Sequence, residues 1–218
     1  MTQSKQVFII EDDEPLRNSL VGFLSPLGFH CKVFESAESF LSWVATSTDS
    51  TENPACVLTD LRLGGISGYE LFNELKQTYS NLVWQTIFIT GHAEVSMAVE
   101  LMQQGAFDFV TKPFDPFHLS RKLTDCIALS EKRAEDLRFL RTHAQKLATL
   151  TPQETNVMSL LLSDLTNKEI AEMMTLSTRT VEIHRANMLK KMHVGSAIEL
   201  SQLNERYQLL GAYSRKRS

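Results

Sequence analysis

The stretch Val7-Phe8-Ile9-Ile10-Glu11-Asp12-Asp13-Glu14-Pro15 sets an apolar run directly before three acids and a proline. Working outward, the same grammar recurs: Ala55-Cys56-Val57-Leu58 leads to Asp60, Ile87-Phe88-Ile89 to Thr90, and Phe107-Asp108-Phe109-Val110 to Lys112. Short, nearly continuous apolar runs read as strands buried on both faces of a parallel sheet. Amphipathic stretches lie between them: Glu14 onward with Leu16, Leu20, Phe23 and Leu24, then about Ser36–Ala45, Tyr69–Tyr79 and Glu94–Gln104. Alternating strand and helix implies a parallel sheet with right-handed crossovers, and five such units fit one domain of about 125 residues. Parallel strands would bring all four polar groups to the carboxyl edge, where open α/β sheets place their sites.

At 218 residues, two domains are expected. Hydrophobic residues make up 43% and charged residues 22%, which suits a soluble globular chain. No apolar stretch reaches membrane-spanning length, and Met1–Gln6 leads into a strand rather than a signal sequence. Three distant cysteines, Cys31, Cys56 and Cys126, show no metal spacing and fit packing in a reducing cytoplasm. The net charge of −4 is unevenly spread. Residues 1–125 hold 8 Lys+Arg against 16 Asp+Glu, and residues 126–218 hold 14 against 10. A basic second half suggests an anionic partner, although a surplus of four does not by itself show nucleic-acid binding.

Asp115-Pro116 opens a long helical pattern, with Asp115 as N-cap and Pro116 at the first helical position. It ends the first domain and continues as a linker, either a solvated connector or a short coiled coil with a second copy. Thr151-Pro152-Gln153-Glu154 is a capping box that opens an all-helical second domain, and Ser196-Ala197-Ile198-Glu199 reads as another. Helices are expected at about Pro152–Leu162, Asn167–Met173, Thr178–Met192 and Ala197–Leu209, with Ser214–Ser218 disordered. The expected division is therefore 1–125, a linker at 126–149, a helical domain at 150–210 and a basic tail at 211–218.

Carboxylates, a hydroxyl and an ammonium on one rim suit a divalent cation and a phosphoryl group. A carboxylate attacks a phosphate dianion only when charge repulsion is suppressed, and Mg²⁺ does this with one or two carboxylates plus waters. Asp12 and Asp60 are the candidate carboxylate ligands, with Glu11 acting directly or through water. Lys112 and Thr90 are placed to pair with the transferred group.

These motifs resemble the response-regulator receiver domain across roughly residues 5–125. The matching stretches are Ile9–Pro15, Leu58-Thr59-Asp60-Leu61-Arg62, Ile89-Thr90-Gly91-His92 and Gly105–Phe114. The resemblance implies a five-stranded, flavodoxin-like doubly wound fold in which Asp60 accepts phosphate from a sensor histidine kinase. It implies Mg²⁺ held by Glu11, Asp12, Asp60 and the Arg62 main-chain carbonyl, a switch pair Thr90 and Phe109, and a cis bond at Lys112-Pro113. Two departures stand out: Glu11 where Asp is usual, and no proline in the loop Arg62–Gly68. Both bear on phosphoryl lifetime.

Residues 166–193 read as two short amphipathic helices joined by a tight turn, a helix-turn-helix without the frequent turn glycine. On the second helix Val181, Met188, Leu189 and Met192 favour the core. Arg179, Glu182, Arg185, Asn187, Lys190 and Lys191 are left for the outside. Arg185 suits guanine, Glu182 cytosine and Asn187 adenine, while Arg179, Lys190 and Lys191 suit phosphates. His184 either packs or meets the DNA backbone. Leu150–Glu154, Asn167-Lys168-Glu169-Ile170-Ala171 and Arg179–Arg185 resemble the LuxR/FixJ-type output domain. Together the two resemblances imply a cytoplasmic two-component regulator of the FixJ/NarL group rather than an enzyme, with no membrane partner. Its expected partners are a sensor kinase, double-stranded promoter DNA, RNA polymerase and a second copy on phosphorylation. Phosphate on Asp60 would recruit Thr90 and turn Phe109 inward. The competing readings are a phosphorelay or protein-interaction module without functional DNA binding, and a magnesium-dependent phosphohydrolase.

Overall fold

The computed structural model describes residues 5–47, 51–79, 81–91 and 95–215. His92, Glu94 and residues 216–218 of the basic tail lie outside the described residues. The chain divides into two compact units, residues 1–135 and 136–218.

The first unit is built on strands β1 (Lys5–Ile10), β2 (Phe29–Phe34), β3 (Cys56–Asp60), β4 (Gln85–Thr90) and β5 (Asp108–Thr111). All neighbours are parallel, in the order β2-β1-β3-β4-β5. Every residue of β3 and β4 is buried, as the unbroken apolar runs require of central strands. β2 is an edge strand in which Phe29 alone is buried, and it carries no such run, so periodicity alone does not announce it.

Alternation along each strand sends side chains to two faces. Val7, Ile9, Cys56, Leu58, Ile87 and Ile89 pack against α1 (Glu14–Leu24) and α5 (Pro116–Ala148). On the other side Leu61 and Phe88 meet Phe72 of α3 (Gly68–Thr78) and Leu101 of α4 (Val95–Gln103). Phe8 there packs its ring at a tilt against Phe40 and Trp43 of α2 (Ala37–Thr46) and against Trp84. Asp13 caps α1 by accepting from Leu16 N–H at 2.9 Å, and capping boxes open α2 at Ser36 and α3 at Ser67.

Helix α5 packs on the sheet beyond residue 125, and the compact unit runs to residue 135. Cys126 and Ile127 belong to the sheet-facing core, and the Cys126 thiol donates to the Cys56 sulfur at 2.8 Å. Fully buried Ser130 accepts from Ala55 N–H at 3.0 Å and donates to the Val83 carbonyl at 2.9 Å, tying α5 to the starts of β3 and β4. Helix α5 itself ends at Ala148.

In the second unit the end of α5 is followed by α6 (Pro152–Leu161), α7 (Asn167–Met174), α8 (Thr178–Met192) and α9 (Ala197–Arg215). The capping box at Thr151 and Glu154 forms as expected, and a further one forms at Thr166 and Glu169. At α9 the box is incomplete: Ser196 accepts from Glu199 N–H, but Glu199 reaches Gly195 N–H instead of its own cap. Helix α9 also runs to Arg215, so the expected tail is helical as far as that residue. Val157, Ile170, Ala171 and Val181 form one core, and Met188, Met192 and Leu200 another. Thr175 ends α7 in the left-handed conformation with φ 56°, taking the place a glycine often fills.

Candidate functional site

The order β2-β1-β3-β4-β5 reverses direction between β1 and β3, and the crevice at their carboxyl ends is where doubly wound sheets bind ligands. Glu11 follows β1 and Asp60 ends β3, and both are nearly inaccessible. Lys112, just beyond β5, reaches over both: its Nζ lies 2.5 Å from Asp60 Oδ2 and 3.1 Å from Glu11 Oε2. The second Asp60 oxygen, Oδ1, accepts from Arg62 N–H at 2.8 Å. Asp12 is exposed beside them, its Oδ2 accepting from Gly64 N–H at 3.2 Å. Arg17 of α1 clamps the turn below by donating to the Glu11 carbonyl at 2.5 Å.

Burial pushes the Glu11 carboxyl above its usual range, and the Lys112 ammonium offsets part of that rise. Burial alone would lower the Lys112 pKa, but its bonds to Asp60 and Glu11 prevail and hold it above its ordinary value. Two carboxylates thus face one ammonium, with the exposed Asp12 carboxylate on the adjoining turn, and a divalent cation would neutralise the excess of negative charge. Among the described residues no three acidic, His or Cys side chains form a ready-made cage. A hard cation that keeps several waters needs only one or two carboxylates and a carbonyl, so this donor set fits magnesium.

Thr90 ends β4 fully buried, with its hydroxyl donating to the Gly91 carbonyl at 3.2 Å. Phe109 pairs with Phe88 across β4 and β5, two residues along from Thr90, and is half-buried against the Leu61–Phe72–Leu101 cluster. The Lys112-Pro113 bond is cis, as the resemblance implied. The sequence reading passed over Gly68, which the fold makes essential to the site's shape: a β-carbon there would stand 2.1 Å from the Asp60 carbonyl oxygen.

In the second unit Arg179, Glu182, Asn187 and Lys190 are exposed on α8, whereas His184 and Arg185 are half-buried. Arg179 makes only a 3.4 Å pair with Glu182. Two residues differ from their expected setting. Lys191 is bonded to buried Glu154 at 2.6 Å and to the Thr149 carbonyl at 3.0 Å, so in this structure it braces α8 against α6. Arg185 donates to Asn167 Oδ1 at 2.8 Å. The sequence reading also omitted Ile183, which is 50% exposed on the same helix. Its spacing of four from both Arg179 and Asn187 places it on their stripe, and that spacing was a usable signal.

Residues 7–124 match the response regulator receiver domain, and residues 148–203 match the bacterial regulatory proteins of the luxR family. The chain is 34% identical to the transcriptional regulatory protein FixJ of Bradyrhizobium diazoefficiens, over 96% of this chain and 99% of that one. It is also 34% identical to the C4-dicarboxylate transport transcriptional regulatory protein DctR of Rhodobacter capsulatus, over 90% and 98% of the two chains. Among solved structures, the response regulator StyR matches with a TM-score of 0.82 at 30% identity, covering 94% of this chain and all of the other. Full-length FixJ from B. japonicum matches with a TM-score of 0.57 at 34% identity, covering 95% and 99%. The chain belongs to the response-regulator family, with a receiver domain and a LuxR-type DNA-binding domain. It is a FixJ-like two-component regulator of transcription.

Proposed function

We propose that Asp60 accepts a phosphoryl group from a phosphohistidine of a sensor kinase and thereby controls DNA binding by the second unit. The observation that carries this reading is the Lys112 ammonium bridging Asp60 Oδ2 and Glu11 Oε2 at the switch point of the sheet. In the transfer, an Asp60 oxygen forms a bond to phosphorus while the phosphorus–nitrogen bond to the donor histidine breaks. Lys112 pairs with the incoming phosphoryl oxygens, and the Thr90 hydroxyl turns from the Gly91 carbonyl to hydrogen-bond them. Glu11, Asp12, Asp60 and the Arg62 carbonyl would hold Mg²⁺, which supplies charge neutralisation between carboxylate and phosphate. Phe109 moves into the space Thr90 leaves, changing the α4–β5 surface. Phosphorylation shifts the two states only by its differential interaction with them.

On the output side Arg185, Glu182, Asn187 and Ile183 face base edges, with Ile183 suited to a thymine methyl. Arg179 and Lys190 face phosphates, and His184 the backbone. Lys191 acts through Glu154 as a brace. Dimerisation would place two such helices on paired half-sites, with RNA polymerase recruited or excluded nearby. No described helix is long and apolar enough to cross a membrane, and the cytoplasm is the compartment this reading requires.

The test is capture of fragmented genomic DNA by wild type and Asp60→Ala, each with and without acetyl phosphate and Mg²⁺. Sequence-selective binding gained only by phosphorylated wild type is the expected result. Identical binding by the two proteins would refute control through Asp60.

A further inference from the structure

Arg185 is the arginine of α8 that is bonded to the other helix of the helix-turn-helix, and this has a consequence for base recognition. Its Nη1 donates to Asn167 Oδ1 at 2.8 Å in a partly buried setting, although the two residues are 18 apart in sequence. Asn167 is the first residue of α7, and the turn that carries it is pinned. Thr166 caps the helix, its N–H and hydroxyl both donate to Glu169 Oε2 at 2.7 Å, and Glu169 N–H returns to the Thr166 hydroxyl at 3.3 Å. Ile170, Ala171 and Val181, all buried, fix α7 against α8. The backbone that carries the Asn167 amide is therefore held in place, and Arg185 is a long side chain moored to that amide.

An arginine that reads guanine presents two parallel N–H groups to O6 and N7. A guanidinium carries five donors, so the bond through Nη1 leaves Nη2 and Nε for a base edge. Mooring before DNA arrives also reduces the rotamer freedom lost on binding. Arg179 offers a contrast: its side chain is 82% exposed and its pairing partner, Glu182, lies on its own helix. Lys191 is committed to Glu154 and Thr149.

We infer that Asn167 is a positioning residue for sequence recognition: it aims Arg185, and so decides which base pair this regulator discriminates and how strictly. The inference rests on the reading of Arg185 as a base contact. It assigns Asn167 no contact with DNA.

The experiment uses the full chain, phosphorylated with acetyl phosphate and Mg²⁺, and a random-sequence duplex library from which wild type selects a consensus. Duplexes with each consensus position changed to the other three bases are then titrated, at one salt concentration, with wild type, Arg185→Ala, Asn167→Ala and Asn167→Asp. Circular dichroism melts confirm that every variant is folded. Arg185→Ala should erase discrimination at one base pair, and Asn167→Ala should reduce it there on the order of tenfold. Asn167→Ala should leave the other positions and non-specific binding unchanged, and Asn167→Asp, which keeps the acceptor, should restore discrimination. If Arg185→Ala erases one position while Asn167→Ala leaves it intact, the positioning role is overturned and the base contact stands. If Arg185→Ala weakens all duplexes equally, or wild type selects no consensus, the base-contact reading fails and the inference fails with it.

Discussion

Gly68 packs against the carbonyl of Asp60 so closely that a β-carbon at residue 68 would lie 2.1 Å from that oxygen and 3.1 Å from its carbon. Gly68 N–H also donates to the Leu61 carbonyl at 3.1 Å, so the start of α3 is held beside the end of β3. Gly68→Ala must displace the main chain that carries the phosphoacceptor. The expected cost is roughly 1–3 kcal/mol of stability, as for overpacking generally, together with slower phosphorylation by acetyl phosphate. Gly64→Ala, whose nearest neighbour would be Asp12 Oδ2 at 3.8 Å, should leave both nearly unchanged. Denaturant titration and a phosphate-affinity gel measure the two effects.

The second unit should lose stability as pH falls through the histidine range. His143, near the end of α5, is 3% exposed, and among the described residues neither ring nitrogen has a hydrogen-bond partner. It lies between Phe139 and Tyr207, 4.4 Å from the latter ring. Burial lowers its pKa below the usual 6.5, and Lys146 lowers it further. The unfolded chain therefore takes up the proton first, and stability present above pH 6.5 declines as pH drops toward the folded-state value. His143→Phe should flatten this dependence in melts recorded between pH 8 and pH 5.5. An unchanged slope would show that other groups govern it.

Adjacent lysines on α8 should behave oppositely. Lys190 is exposed, and Lys190→Ala should lower the salt slope of DNA binding by about one without changing stability. Lys191→Ala leaves the Glu154 carboxylate, 5% exposed, without its ammonium. The loss should be about 1–2 kcal/mol, reduced from the fully buried case because Lys191 is itself 35% exposed. Urea unfolding and salt-dependent binding separate the two roles.

Thr175 occupies the left-handed region at φ 56°, where a β-branched residue is strained. Thr175→Gly should relieve that strain and, after glycine's greater unfolded-state entropy, stabilise the helix-turn-helix by roughly 0.5–1 kcal/mol. A rise in the melting temperature with unaltered DNA specificity is the expected observation.

The relation between these results and the bare sequence follows the range of the interactions. The buried strands and the cap at Thr151 were legible because each is local: an apolar run, or a hydroxyl three residues before the N–H it accepts from. The acidic pair, Asp60, Thr90 and Lys112 were legible because parallel strands deliver their ends to one edge. What tertiary structure alone decided is pairing between distant residues. Ser130 bridges Ala55 and Val83, and so carries the first unit past residue 125. Glu154 engages Lys191, and Asn167 takes hold of Arg185. No periodicity encodes these bonds, because a polar side chain's partner is set by which helix packs beside it. Sequence determined the kinds of chemical group and the strand ends that present them. Packing determined which groups are already engaged when phosphate or DNA arrives.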